Sequence, residues 1–136
     1  MRLIALDVGD KRIGVAMCDP DRILASPLTT LTRQAKDTSL DEILQIAREN
    51  DVAQIVIGIP YSMSGRVGPQ ARITMDYADS LAEKTDLPIH RIDERLSSVQ
   101  AERMIRESGG RPSENKGKID SVAAAIILQA YLDSRK

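Results

Sequence analysis

An aspartate stands where a hydrophobe is expected. Asp7 interrupts RLIALDV, residues 2 to 8, an otherwise nearly unbroken apolar run. Such runs of strand length belong to strands covered on both faces. A carboxylate placed there without a partner is costly, so something must compensate it. An ion pair with Lys11 or Arg12, hydrogen bonds from the turn at Gly9 to Arg12, or a bound cation would each serve, and spacing alone leaves them level.

Two further acidic positions bear on the choice. In IDSVAAAIILQAYL, which starts at Ile119, steps of three and four residues put Asp120 on one helix face with Ala123, Ala124, Ile127 and Tyr131. That face packs inward. Complementing a positive helix N-terminus accounts for an acid at Asp120 but not for its direction. Asp93 and Glu94 follow the apolar strand LPIHRI. Neighbours on an extended chain face opposite ways, so one of the two reaches a common site and the other is a solvated turn residue beside Arg91 or Arg95.

Three carboxylates from two strand ends and a helix start suit hard divalent cations, Mg²⁺ or Mn²⁺ alike. Two such ions about 4 Å apart can clamp the attacking and leaving oxygens of a phosphodiester. That chemistry needs acids and water and no catalytic His or Cys. His90 and Cys18, each the only one of its type, read as structural strand residues. Candidate phosphate contacts are Lys11 and Arg12 in the first turn, Arg66 and Arg72 in and beside GIPYSMSGRVGP, Arg95, and Lys116 and Lys118 just before Asp120. Ordinary charged loops look the same, so this signal is weaker than the acidic one.

The elements that must position these residues follow from periodicity and turn chemistry. Strands are expected at 2–8 and 13–18, joined as a hairpin by Gly9 to Arg12, with a weaker third at 23–31. Ser39-Leu40-Asp41-Glu42 matches a capping box and predicts a helix over 38–50. A strand at 54–60 then pairs parallel to the first. Pro69 opens a helix to about residue 84, with Ile73, Tyr77 and Leu81 along one stripe. A strand at 87–93 precedes a helix from Ser97 that ends at Gly109-Gly110. Residues 109–118 read as a mobile loop before the final helix from Ile119. The expectation is an α/β protein in which an antiparallel meander feeds parallel strands.

Composition limits the rest. A chain of 136 residues fits one domain over 1–136, and with no Phe or Trp and three Tyr its core must be aliphatic. A formal charge of -1 excludes a global positive field for nucleic acid, so any such binding is local or bridged by cations. The apolar runs are too short to span a bilayer, and a lone cysteine suits the cytoplasm.

Four motifs carry a resemblance: LDVGDKRIGVAMCD, IVIGIPYSMSGRVGPQA, IDERLSS and KGKIDSVAAAIILQAYL. In this order, and over nearly the whole chain, they resemble the YqgF, or RuvX, family. The resemblance implies an RNase H-like fold, a five-stranded mixed sheet flanked by helices. It also implies a nuclease related to Holliday junction resolvases that processes the 5′ end of pre-16S rRNA. The implied catalytic and metal-binding set is Asp7, Glu94 and Asp120, with Asp93 as the alternate to Glu94. Asp7 would bridge two cations, and the other two acids would complete one shell each. The partner would be nucleic acid, rRNA precursor ahead of branched DNA, with no membrane. A two-fold junction would call for a homodimer, whereas RNA trimming needs only a monomer. Two rivals remain. The first motif is similar to the phosphate hairpin of sugar kinases, which use two such domains, and the same fold could serve a non-catalytic RNA-binding, transcription or ribosome-assembly factor.

Overall fold

The computed structural model describes residues 1–33, 38–61, 64–93 and 116–135, apart from the side chains of 116–119. Five strands form one sheet: β1 (Arg2–Val8), β2 (Arg12–Cys18), β3 (Ala25–Thr32), β4 (Val52–Ile59) and β5 (Ile89–Asp93). Their spatial order is β3-β2-β1-β4-β5. The first three run antiparallel to their neighbours, and β1, β4 and β5 are parallel. The apolar run around Asp7 thus sits at the centre of the sheet, as its composition demands.

Strand alternation sorts β1 into two faces. Ile4, Leu6 and Val8 join the cluster built with Ile43 and Ala47 of α1 (Ser39–Glu49) and Ala71, Tyr77, Ala78 and Leu81 of α2 (Pro69–Lys84). Leu3 and Ala5 face the other way and pack on Ala124, Ile127, Leu128 and Tyr131 of the last helix, here α3 (Lys116–Ser134). Alanines on both sides of that second layer, Ala5, Ala16, Ala124 and Ala125, let the helix approach closely. Gln129 fastens it to the sheet margin: its side-chain carbonyl accepts the Ala25 N–H at 2.9 Å and its amide donates to the Ile23 carbonyl at 3.0 Å.

Two local expectations need correction. Ser39 is not the cap of α1. Its buried hydroxyl lies 2.6 Å from the Tyr77 hydroxyl on α2, and the cap position passes to Thr38, whose hydroxyl donates to Glu42 at 2.8 Å. Burial of the serine is worth more than an exposed cap there. The last helix starts at Lys116 rather than Ile119, so part of the expected loop 109–118 is helical. The helix expected from Ser97 lies outside the described residues.

Candidate nuclease site

Asp7 is the penultimate residue of β1 and pairs with Gly14 across the β1–β2 ladder. Paired residues present their side chains to the same face. Along that row Gly14 stands on one side of Asp7. On the other, one step beyond the Leu6–Ile57 pair, comes Gly58. Neither neighbour carries a side chain, and the half-buried carboxylate stands at the carboxyl edge of the sheet.

Gly14 also explains how the second carboxylate arrives. A Cβ at that position would lie 2.0 Å from the carbonyl oxygen of Asp120, 2.2 Å from its carbonyl carbon and 2.8 Å from the Ser121 nitrogen. Only glycine lets the α3 backbone rest on β2 here, one strand from Asp7. Asp7 and Asp120 therefore share a face and an edge. Because α3 begins at Lys116, Asp120 sits beyond its first turn, which removes the helix-dipole explanation for this acid. What Asp120 meets instead is Arg12, whose Nε donates to its Oδ2 at 2.7 Å with the two side chains 37% and 23% exposed.

The turn between β1 and β2 is tightly held. Gly9 N–H donates to the Arg12 carbonyl at 2.8 Å. Arg33, just past β3, donates from its backbone to the Lys11 carbonyl at 2.8 Å and from its guanidinium to the Gly9 carbonyl at 3.0 Å. The same guanidinium lies 4.9 Å from the Tyr77 ring centroid, so the turn beside Asp7 is tied to α2. Neither Arg33 nor Gly14 stood out in the sequence. An interior strand glycine was the available signal for Gly14.

The Asp93 alternate faces away. Asp93 pairs with Ile59 and Arg91 with Ile57, both on the α1/α2 side, while Ile92 packs on the α3 side with Leu3 and Ala5. Strand alternation thus takes Asp93 out of the row that holds Asp7. Glu94 and Arg95 lie outside the described residues. Among the described residues no three His, Cys, Asp or Glu side chains are placed to hold a metal ion.

Of the basic candidates, Lys11 is exposed in the turn next to Asp7, and Arg66 is exposed in the loop that leaves β4 at the same edge. Gly65, at φ 84°, makes that loop possible. Arg72 is exposed in the first turn of α2, across the sheet from α3. Lys116 and Lys118 occupy the first turn of α3. His90 packs on Tyr131 with ring centroids 5.3 Å apart, and buried Cys18 accepts the Leu3 N–H at 3.2 Å.

A family model described as "RuvX: Holliday junction resolvase" matches residues 1–134. The chain belongs to the RuvX family. Membership places it among nucleases, hydrolases of phosphodiester bonds whose partner is nucleic acid. A RuvX relative from Roseiflexus sp. (strain RS-1), named "Putative pre-16S rRNA nuclease", is 47% identical over 99% of this chain and 96% of its own length. One of the same name from Chloroflexus aurantiacus (strain ATCC 29366 / DSM 635 / J-10-fl) is 44% identical over 98% and 88%. The RuvX fold is similar to T. thermophilus RuvC solved with a Holliday junction substrate, with TM-score 0.59, 14% identity and coverage of 99% of this chain and 95% of that one. The fowlpox virus Holliday junction resolvase gives TM-score 0.57 at 11% identity over the full length of both chains. These likenesses bear out the RNase H-like sheet. Among the described residues no helix is long and apolar enough to cross a membrane.

Proposed function

We propose that this chain is a divalent-cation-dependent endonuclease whose substrate is ribosomal RNA precursor, cut at the 5′ end of pre-16S rRNA in the cytoplasm. The observation that carries the reading is the seating of the Asp120 backbone on Gly14, the residue paired with Asp7 across the β1–β2 ladder. Nothing in the packing of an aliphatic two-layer protein requires two acids on one face at the carboxyl edge of its central strands, where open α/β sheets bind ligands.

The donor set fits a hard cation. Carboxylate oxygens suit Mg²⁺ or Mn²⁺, and the soft or imidazole donors, Cys18 and His90, are committed elsewhere. Asp7 and Asp120 would hold one or two such ions. Glu94 is the third ligand implied by the family resemblance, and the direction of Asp93 within β5 supports it over its neighbour. Divalent cations held there supply Lewis-acid stabilisation of the phosphoryl oxygens. The chain's own residues do the rest. Asp7 stands at the edge where a phosphate would enter. Lys11, Arg12, Arg66, Lys116 and Lys118 would draw the backbone of the nucleic acid along it, with Arg95 a further contact expected from the sequence.

Cleavage of a substrate panel tests the reading: rRNA precursor, single-stranded RNA and a four-way DNA junction, each with Mg²⁺ or Mn²⁺. Wild-type protein is expected to cut the precursor, and Asp7→Asn to abolish cutting while the protein stays folded. Equal cutting by Asp7→Asn would remove the site from the mechanism, and no cutting with either ion would favour a binding factor. The family description favours a second reading, junction resolution, which would show as paired cuts on the DNA arm by a homodimer.

A further inference from the structure

Arg12 occupies an odd position for a residue meant to attract phosphate. It lies two residues from Gly14 along β2, on the face that carries Asp7 and α3, and its Nε is already bonded to Asp120 at 2.7 Å. Its backbone is locked, because its carbonyl takes the Gly9 N–H at 2.8 Å inside the turn that Arg33 clips. Only the side chain can move, and at 37% exposure it has solvent to move into. Arg12 brings its positive charge to the acid that the cation would use.

We propose that Arg12 is an exchangeable stand-in for the divalent cation: it neutralises Asp120 in the metal-free protein, then leaves it for a phosphate oxygen of the bound nucleic acid. The proposal rests on the nuclease reading above and adds the order of events within its site. The physical reason is competition for one carboxylate. A cation entering beside Asp7 needs the Asp120 oxygens and repels the guanidinium, while a phosphate arriving with it offers the released fork a bidentate acceptor. No covalent step is involved. The cost of parting Arg12 from Asp120 is taken from metal affinity and returned as affinity for nucleic acid, so cation and substrate load together more readily than either alone.

Calorimetric titration of Mn²⁺ into the substrate-free full chain tests this, with wild type, Arg12→Ala and Asp120→Asn side by side. Removing the competitor is expected to tighten Mn²⁺ binding by roughly three- to tenfold, the range for a part-exposed charge-assisted pair. Asp120→Asn should weaken it. Anisotropy with a single-stranded RNA oligonucleotide reads the other half. With Ca²⁺ present, Arg12→Ala should bind RNA about fivefold more weakly, with the salt slope shallower by about one. In EDTA, with the guanidinium held by Asp120, the loss should be clearly smaller than with Ca²⁺. If Arg12→Ala does not fold, Arg12→Lys is read instead, with changes of the same sign and smaller size, since lysine keeps the charge and loses the planar fork. Mn²⁺ affinity unchanged or weakened by loss of Arg12 overturns the proposal, as does an equal loss of RNA affinity with and without cation. A wild-type protein that takes up no Mn²⁺ overturns the nuclease reading as well, so the two failures are told apart.

Discussion

Replacing Gly14 by alanine should disable the site at modest cost to the fold. The added Cβ would lie 2.0 Å from the Asp120 carbonyl oxygen, and real Cβ atoms essentially never come nearer than 3.0 Å, so α3 must withdraw by about 3.0 − 2.0 = 1.0 Å at that end. Overpacking of this kind costs about 1–3 kcal/mol. Alanine returns roughly 0.5–1 kcal/mol by restricting the unfolded chain. The net loss, roughly 0–2.5 kcal/mol and centred near 1 kcal/mol, corresponds to a fall in Tm of about 4 °C at its centre for a domain this size. Activity should suffer more, because a misplacement of about 1 Å costs on the order of 100-fold in rate. Thermal melts followed by circular dichroism and initial rates of cation-dependent cleavage measure the two effects on one preparation. Gly68→Ala is the control: its Cβ would meet nothing within 4 Å, so stability should stay within about 0.5 kcal/mol and cleavage should not change. A Gly14→Ala protein that keeps more than half of its cleavage rate would refute the claim that this contact seats Asp120.

Arg33→Ala removes both the bond to the Gly9 carbonyl and the stacking on Tyr77, and urea denaturation should show a loss of about 2 kcal/mol. Its cleavage rate should fall as well, since the freed turn adjoins Asp7. Asp19 gives a pH prediction. Backbone N–H groups of Leu24 and Ile23 hold its carboxyl below the ordinary value of 3.8. A depressed folded-state pKa adds stability that is complete above that value and is lost as pH falls through the lower one. The urea midpoint of wild type should therefore drop more than that of Asp19→Asn between pH 6 and pH 3, and parallel drops would count against the assignment.

Much of this site was legible because each signal was local. Asp7 broke an apolar period, Asp120 fell on an apolar helix face, and the adjacency of Asp93 and Glu94 guaranteed that one would be misdirected. Which one depended on the register of β5 against β4, and register is a tertiary property. Ser39 looked like a cap because its spacing to Glu42 was right, and only the position of Tyr77 on α2 could reveal a better partner. Arg33 was invisible for a related reason: its acceptors are a carbonyl 24 residues away and an aromatic ring on another helix. An ion pair for Arg12 was among the alternatives, but for Asp7; the structure gives it to Asp120, because Gly14 brings that helix backbone down onto β2.

The pairing of Arg12 with Asp120 spans 108 residues of chain, and that separation bears on timing during synthesis. The sheet's first hairpin can close as soon as residues 2 to 18 have emerged, whereas Asp120 is translated seconds later at about 5–20 residues per second. Until α3 docks, a nascent chain beside ribosomal RNA carries Asp7 without Asp120. A chain made in this order holds its first strands in place well before the helix that seats Asp120 on Gly14, so the two acids come to share one face only once α3 docks.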